Sequence, residues 1–185
     1  DAGDPVRTVA PEFDGRAMAI AYAPYQMFRS IGIWPHLAPY AQAINEIRVS
    51  DGQVNVKPGT GKGPSPLFLH FEHQALGDEP FGYMVENRHI LAGLWAAAQE
   101  RPEITLCAPA ELHVLERTPA CVSATIRCAP GPSEAPADLP VRARLVIGAD
   151  GRGSKVRKSA GITCFSGGYG QTAIVATGIH AQDHG

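Results

Sequence analysis

The stretch RLVIGADGRGSKVR, residues 144–157, decides how this chain is read. Leu145, Val146 and Ile147 run into Gly148, Asp150, Gly151 and Gly153, and Ser154 and further basic residues follow. An apolar run with β-branched members reads as a buried strand. The glycines permit a tight turn in which backbone approaches a ligand closely. Ser154 reads as the N-cap of a short helix from Lys155 to about Ala160, ended by Gly161. Strand, glycine turn and helix N-terminus together offer a place for an anion or a ribose. An ordinary strand-to-helix turn would carry the same glycines, and the spacing is not the G-x-G-x-x-G fingerprint.

The rest of the chain alternates between helix and strand signals. Residues 4–15 hold prolines and polar breakers and read as a loop. Pro24 suits a helix first turn. Tyr25, Phe28, Ile31 and Ile33 mark an apolar face, and Gly32 ends that helix. Residues 34–43 read as a second short helix opened by Pro35. Residues 44–50, INEIRVS, alternate as a strand does, and Asp51-Gly52 signals a turn. KPGTGKGPSP, residues 57–66, lacks the Walker pattern and reads as a connection, with a further strand over 67–71. Residues 74–81 form a polar loop. From Asn87 to about Gln99 the period is helical, with Ile90, Leu91, Leu94, Trp95 and Ala98 on one face. Residues 104–107 read as a short parallel strand. Residues 111–117 and 121–128 read as a hairpin turned at Thr118-Pro119-Ala120. Residues 129–140 form a turn-rich insertion, and residues 171–179 alternate enough to be a strand.

Composition bounds the function class. A chain of 185 residues with 44% hydrophobic residues is globular and large enough for a core. A formal net charge of -2 supplies no electrostatic reason to bind nucleic acid. No apolar run is long enough to span a bilayer, and no signal-peptide pattern is visible. Cys107, Cys121, Cys128 and Cys164 show no C-x-x-C spacing, which reads as reduced structural thiols in a cytoplasmic protein. His70 and His73 fall on opposite faces of a strand, which argues against a shared metal, and no metal site is expected.

The order of residues after the apolar run narrows the reading. Strand, G-A-D-G, Ser154 and Val156-Arg157 resemble the D-G motif of flavin-dependent aromatic hydroxylases, the para-hydroxybenzoate hydroxylase family. Within it, the chain is most similar to the ubiquinone-biosynthesis hydroxylases that act on polyprenyl phenols. FDGRAMAIAYAPYQMFRSIGIWPHL (residues 13–37), GYMVENRHILAGL (82–94) and YGQTAIVAT (169–177) resemble further family segments in the same order. The family's tryptophan before Tyr169 is replaced here by Gly167-Gly168.

The resemblance implies an α/β fold, mixed with α+β features: an incomplete Rossmann-like domain binding FAD, with an inserted, mostly antiparallel substrate-domain sheet. Residues 1–43 and 82–165 would then belong to the FAD-binding domain, and residues 44–81 and 166–185 to the substrate domain. No G-x-G-x-x-G segment precedes Asp1 and no later G-D motif follows, so the chain is expected to be the middle part of a longer enzyme.

The implied reaction is ring hydroxylation. NAD(P)H reduces FAD, O2 adds to the reduced flavin, and the flavin hydroperoxide delivers OH to an electron-rich phenol. The cofactor carries the hard chemistry, so no catalytic triad is required and no catalytic residue is assigned. Asp150 would accept hydrogen bonds from ribose or ribityl hydroxyls. Gly148, Gly151 and Ser154 would shape its turn, and Arg157 would support a phosphate or the approach of NAD(P)H. By the same resemblance, Arg16 reaches the FAD pyrophosphate, with a surface arginine as the plain alternative. Arg88, in a helix first turn, is either near the FAD phosphates or solvated. Asp1 either holds the adenosine ribose or is a disordered terminus. A prenylated substrate would bring a peripheral contact at the inner membrane, or with a biosynthetic complex. The rival readings are an FAD-dependent reductase on the same fold and a non-catalytic lipid-binding accessory flavoprotein.

Overall fold

Proline and glycine positions set many of the element boundaries in the computed structural model, which describes residues 3–10, 15–50, 68–129, 137–172, 178 and 181. Asp4 caps a one-turn helix, α1 (Pro5–Thr8), by accepting from the Val6 amide at 3.0 Å. Residues 4–15 are therefore not all loop: an acceptor at the N-cap and a proline in the first turn are enough for one helical turn.

Two units follow from the chain's internal contacts, Gly15–Ala97 and a second made of Asp1–Asp14 with Ala98–Gly185. In the first, β1 (Ala17–Ala21) leads directly into α2 (Tyr22–Ser30), and Gly32 turns the chain at φ 80°. Next come α3 (Trp34–Leu37), a 3-10 turn over Ala38–Tyr40 and β2 (Gln42–Ala43). The second helix expected over residues 34–43 is thus cut short. Pro39 has no amide to continue the helical ladder, and Ala41 is already extended. β3 (Glu46–Ser50) and β4 (Phe68–Glu72) form an antiparallel ribbon, and β5 (Gly82–Glu86) runs into α4 (Asn87–Gln99). β5 lies between β1 and β2 and is antiparallel to both.

The core of this unit is Ile20, Tyr25, Leu37, Val85 and Ile90, with Phe28, Ile33, Trp34, Ala41 and Tyr83 packed around it. Pleating turns Ile20 of β1 and Val85 of β5 inward, and the helical period turns Tyr25 and Ile90 inward. Tyr25, Trp34 and Tyr83 meet with ring centroids 4.6–4.8 Å apart, in tilted and edge-on geometries that aromatic quadrupoles favour. Burial, and then its hydrogen bond with Tyr25, push the Tyr83 hydroxyl's pKa up. The apolar face expected for α4 holds at Ile90, whereas Leu94 stays at the edge of exposure.

The second unit is built on β6 (Ala110–Arg117), β7 (Val122–Cys128) and β8 (Ala137–Ala143), an antiparallel sheet with β7 in the middle. The expected hairpin is present. Its turn closes where the Thr118 amide donates to the Cys121 carbonyl at 2.9 Å. The register slips between Leu112 and Val114, a bulge at His113. Arg127 and Asp138, opposite each other across β7 and β8, pair through both guanidinium and carboxylate arms at 2.9 and 3.2 Å. α5 (Lys155–Ser159) follows.

Two expected strands are absent. Residues 104–107 form none, and residues 144–150, which follow β8, have no ladder pairing among the described residues. Leu145 and Ile147 are consequently 72% and 79% exposed, not buried. Strand character requires a neighbour for the backbone amides and carbonyls, and an apolar sequence alone does not supply one. Every strand pair described is antiparallel, so the mixed helix and strand content holds while the parallel arrangement is not seen here. The 57–66 connection and most of the strand expected over 171–179 lie outside the described residues. Among the described residues, no helix is long and apolar enough to cross a membrane, and no group of three or more His, Cys, Asp or Glu could hold a metal. All four cysteines are free thiols.

Gly93 sits inside α4, where glycine is a poor helix former, because α3 crosses close to it. A Cβ there would lie 2.6 Å from Leu37 Cδ2 and 3.2 Å from His36 Cβ. Leu37 is fully buried, so its side chain has to shift within the core to make room. Gly93→Ala gains helix propensity but overpacks this crossing. The net expectation is a loss of about 1 kcal/mol, measured by urea unfolding. An unchanged or raised midpoint would contradict the packing described.

Candidate functional site

Asp150 stands at the centre of the turn that links residues 144–149 to α5. Gly151 follows at φ 75°, a left-handed conformation that suits glycine. Gly148 is where α5 packs back on the turn: a Cβ there would lie 2.9 Å from both Cβ and Cγ1 of Val156. The turn is thus shaped by one glycine for its conformation and another for its closeness.

The Asp150 carboxylate is held by three donors. The Ser154 hydroxyl donates to Oδ1 in a short hydrogen bond. The Lys155 amide donates to Oδ2 at 2.6 Å and the Val156 amide at 3.2 Å. Ser154 Oγ in turn accepts from the Arg157 amide at 2.9 Å, the N-cap bond expected of it. Ser154 is 4% exposed, the one buried polar side chain among the described residues. The Ser154 hydroxyl above all, and then the Val156 and Lys155 amides, hold the Asp150 carboxyl below the usual carboxylate range, against an opposing effect of desolvation. Arg157 extends its guanidinium back to the Arg152 carbonyl at 2.8 Å and so braces the turn from the other side.

This geometry separates the two ligand chemistries that the motif left open. The amides of Lys155, Val156 and Arg157 at the start of α5 already have acceptors within the chain: the Asp150 carboxylate for the first two and the Ser154 hydroxyl for the third. A phosphate placed there would meet a paired helix end and a negative charge. A carboxylate has about four acceptor directions, and three donors use only part of them. Asp150 is exposed and can therefore accept from a ligand hydroxyl. It lines a cleft of about 710 Å³ with Ala110, Glu111, Leu112, Ile147, Ala149, Gly153 and Lys155. The cleft offers carboxylate acceptors, one ammonium and apolar wall, a lining that suits a hydroxyl-bearing ligand.

Neither Glu111 nor Lys155 is a binding candidate on sequence grounds. Lys155 Nζ reaches Glu111 Oε2 at 3.0 Å and the Leu112 carbonyl at 3.3 Å. Lys155 belongs to the motif, so its adjacency to the site was legible. Glu111 is one polar residue in an alternating strand, and its part depends on a pairing 44 positions away in the chain.

The remaining candidates lie elsewhere. Arg16 and Arg88 lie near the same end of the β1–β5 ladder in the first unit. The Asn87 amide donates to the Arg16 carbonyl at 2.8 Å, one step beyond the Ala17↔Glu86 pair. Arg88 Nε pairs with Glu86 Oε2 at 2.6 Å, so part of its charge is met within the chain. Asp1 lies outside the described residues.

Ser154→Ala removes both the N-cap bond and the leading cause of the lowered Asp150 pKa. It should destabilise the unit by about 1 kcal/mol. It should also move the Asp150 carboxyl up towards the ordinary carboxylate range, read by NMR titration. In the unaltered chain the folded pKa is lowered, so Asp150's stabilisation is present above its unfolded pKa and is lost as pH falls through the folded value. A titration left unmoved by Ser154→Ala would contradict this assignment.

Comparison with known proteins gives the turn its context. The model of the FAD binding domain family matches residues 7–184. The ubiquinone hydroxylase UbiL of Rhodospirillum rubrum is 44% identical over 184 residues, covering 100% of this chain and 38% of that protein. The 3-demethoxyubiquinol 3-hydroxylase of Escherichia coli is 35% identical over 94 residues, covering 51% of this chain and 22% of that protein. A mitochondrial ubiquinone biosynthesis monooxygenase of Drosophila melanogaster is 25% identical over 181 residues, covering 91% of this chain and 34% of that protein. The chain therefore spans well under half the length of these relatives. With the family model matched along nearly its whole length, the chain belongs to the FAD binding domain family.

Proposed function

We propose that this chain forms part of an FAD-dependent monooxygenase that hydroxylates a polyprenyl phenol ring in ubiquinone biosynthesis, using NAD(P)H and O2. The observation that carries the reading is the 44% identity to a ubiquinone hydroxylase over 184 residues of this chain. Bound FAD supplies the redox and oxygen-activating chemistry; the protein supplies binding, orientation and exclusion of water.

In this reading Asp150 accepts a ribose or ribityl hydroxyl with the acceptor capacity its three donors leave. Gly148 and Gly151 allow the turn to close, Ser154 orients the carboxylate, and Arg157 braces the backbone beneath it. Arg16 and Arg88, near the same end of the β1–β5 ladder, serve the FAD pyrophosphate, and Asp1 serves the adenosine ribose. Residues 1–43 and 82–165 form the cofactor part, and residues 44–81 and 166–185 the substrate part. Support for the latter comes from the β3–β4 ribbon, which pairs apart from the sheet of β1, β5 and β2. Its Ile47, Val49, Leu69 and Phe71 share one apolar, exposed face, a surface suited to a phenol with a long apolar tail. Such a substrate is drawn from a membrane, so a peripheral contact at the inner membrane or with a biosynthetic complex belongs to the proposal.

The test uses the full-length protein. It should purify with FAD and oxidise NAD(P)H faster when a prenylated phenol is added, with O2 consumed and hydroxylated phenol formed. NAD(P)H oxidation without oxygen uptake would sink the monooxygenase reading in favour of a reductase. Asp150→Ala should weaken FAD retention about tenfold or more, the size expected for loss of a hydrogen bond to a charged acceptor. Flavin content equal to the unaltered enzyme would remove Asp150 from the site.

A further inference from the structure

α5 is five residues long and has no fully buried residue, so neither propensity nor core packing alone determines its orientation. Its N-terminal contact is Val156 against Gly148. Beyond its bonds to the preceding turn, its anchors among the described residues are polar and come from β6. At the start of α5, Lys155 Nζ is taken by Glu111 Oε2 at 3.0 Å and by the Leu112 carbonyl at 3.3 Å. At its end, Arg117 Nη2 donates to the Ser159 carbonyl at 3.1 Å, one of the carbonyls that a helix C-terminus leaves without an internal partner. β6 is an edge strand of its sheet, so its outer side is open to such contacts. The bulge at His113 lies between the two anchors and adjoins Leu112, whose carbonyl accepts from Lys155.

The Asp150 carboxylate is aimed by α5. All three of its donors, Ser154 Oγ and the Lys155 and Val156 amides, belong to the helix start. Whatever sets the pose of α5 therefore sets the direction in which Asp150 presents its remaining acceptor capacity. We infer that Glu111 and Arg117 are positioning residues for the cofactor site: they clamp α5 along the edge of β6 and, through it, aim Asp150 into the cleft. This inference rests on the reading of Asp150 as a hydroxyl acceptor for FAD. The Lys155–Glu111 pair is more than half exposed on both sides, and such pairs add little to stability. The clamp matters for direction and hardly at all for the folded state's free energy.

That difference makes the inference testable in the full-length enzyme by titrating FAD into apoprotein and following flavin fluorescence. Glu111→Gln and Arg117→Met should each weaken FAD binding, together by about tenfold, while the thermal midpoint of the apoprotein hardly moves. The charge exchange Glu111→Lys with Lys155→Glu should recover most of the affinity. It keeps the pair and leaves the Lys155 backbone amide on Asp150, and Arg117→Lys should likewise retain most of it. In an Asp150→Ala background, Glu111→Gln and Arg117→Met should cause no further loss. Unchanged affinity in the single and double variants would overturn the clamp while leaving Asp150 in place. So would a loss matched by an equal fall in apoprotein stability, or a charge exchange that recovers nothing. Full FAD affinity in Asp150→Ala would overturn the underlying reading, and additive losses in that background would show that β6 acts by another route.

Discussion

The amides at the start of α5 need acceptors, and the way they are supplied governs the site. A helix leaves its first amides without internal partners. Here Ser154 and Asp150 take those of Lys155, Val156 and Arg157, and Ser154 closes the loop by donating to Asp150. One carboxylate thereby ends the turn, starts the helix and lines the cleft. Its charge is held in the ionised form by hydrogen bonds more than by any neighbouring cation, as the order of causes of its lowered pKa indicates. A site built this way favours hydroxyl groups over phosphates, because its helix end is already neutralised from within.

The first unit answers a different constraint, the burial of large side chains by short elements. α2, α3 and β5 are each nine residues or fewer, so none is stable alone. Tyr25, Trp34 and Tyr83 fill the space between them, and Leu37 is seated against Gly93 in the one helix of respectable length. Arg29 lies over the Tyr25 ring, 5.5 Å from its centroid, and also pairs with Glu79 at 3.7 Å, while Gln26 reaches Glu79 at 3.4 Å. These contacts draw the segment before β5 onto α2. They act at the Ala21–Gly82 end of the β1–β5 ladder, whereas Arg16 and Arg88 lie at its other end, beyond the Ala17↔Glu86 pair.

Much of the local structure was legible because its causes are local. α4 begins and ends where its period and flanks place it, and the hairpin turns at the expected Thr118-Pro119-Ala120. The Ser154 cap and the end at Gly161 were likewise readable from residue type. The misreadings of strands share one origin. Residues 104–107 and 145–147 carry strand-like composition, and β2 was hidden inside a helical pattern, yet strand identity is conferred by a partner. Gln42 and Ala43 found Met84 and Tyr83; Leu145 and Ile147 have no such pairing among the described residues.

The sequence by itself determined the motif, the residue at its centre and the family to which the chain belongs. Glycine positions, an N-cap serine and an acidic side chain act through conformations and bonds that span a few residues, so they can be read in one dimension. Tertiary structure alone decided which way Asp150 is aimed and what the turn can hold. That outcome depends on Glu111 and Arg117 of β6 meeting α5 across more than forty positions. Contacts of that separation follow from how the sheet edge and the helix are brought side by side, which no local pattern encodes.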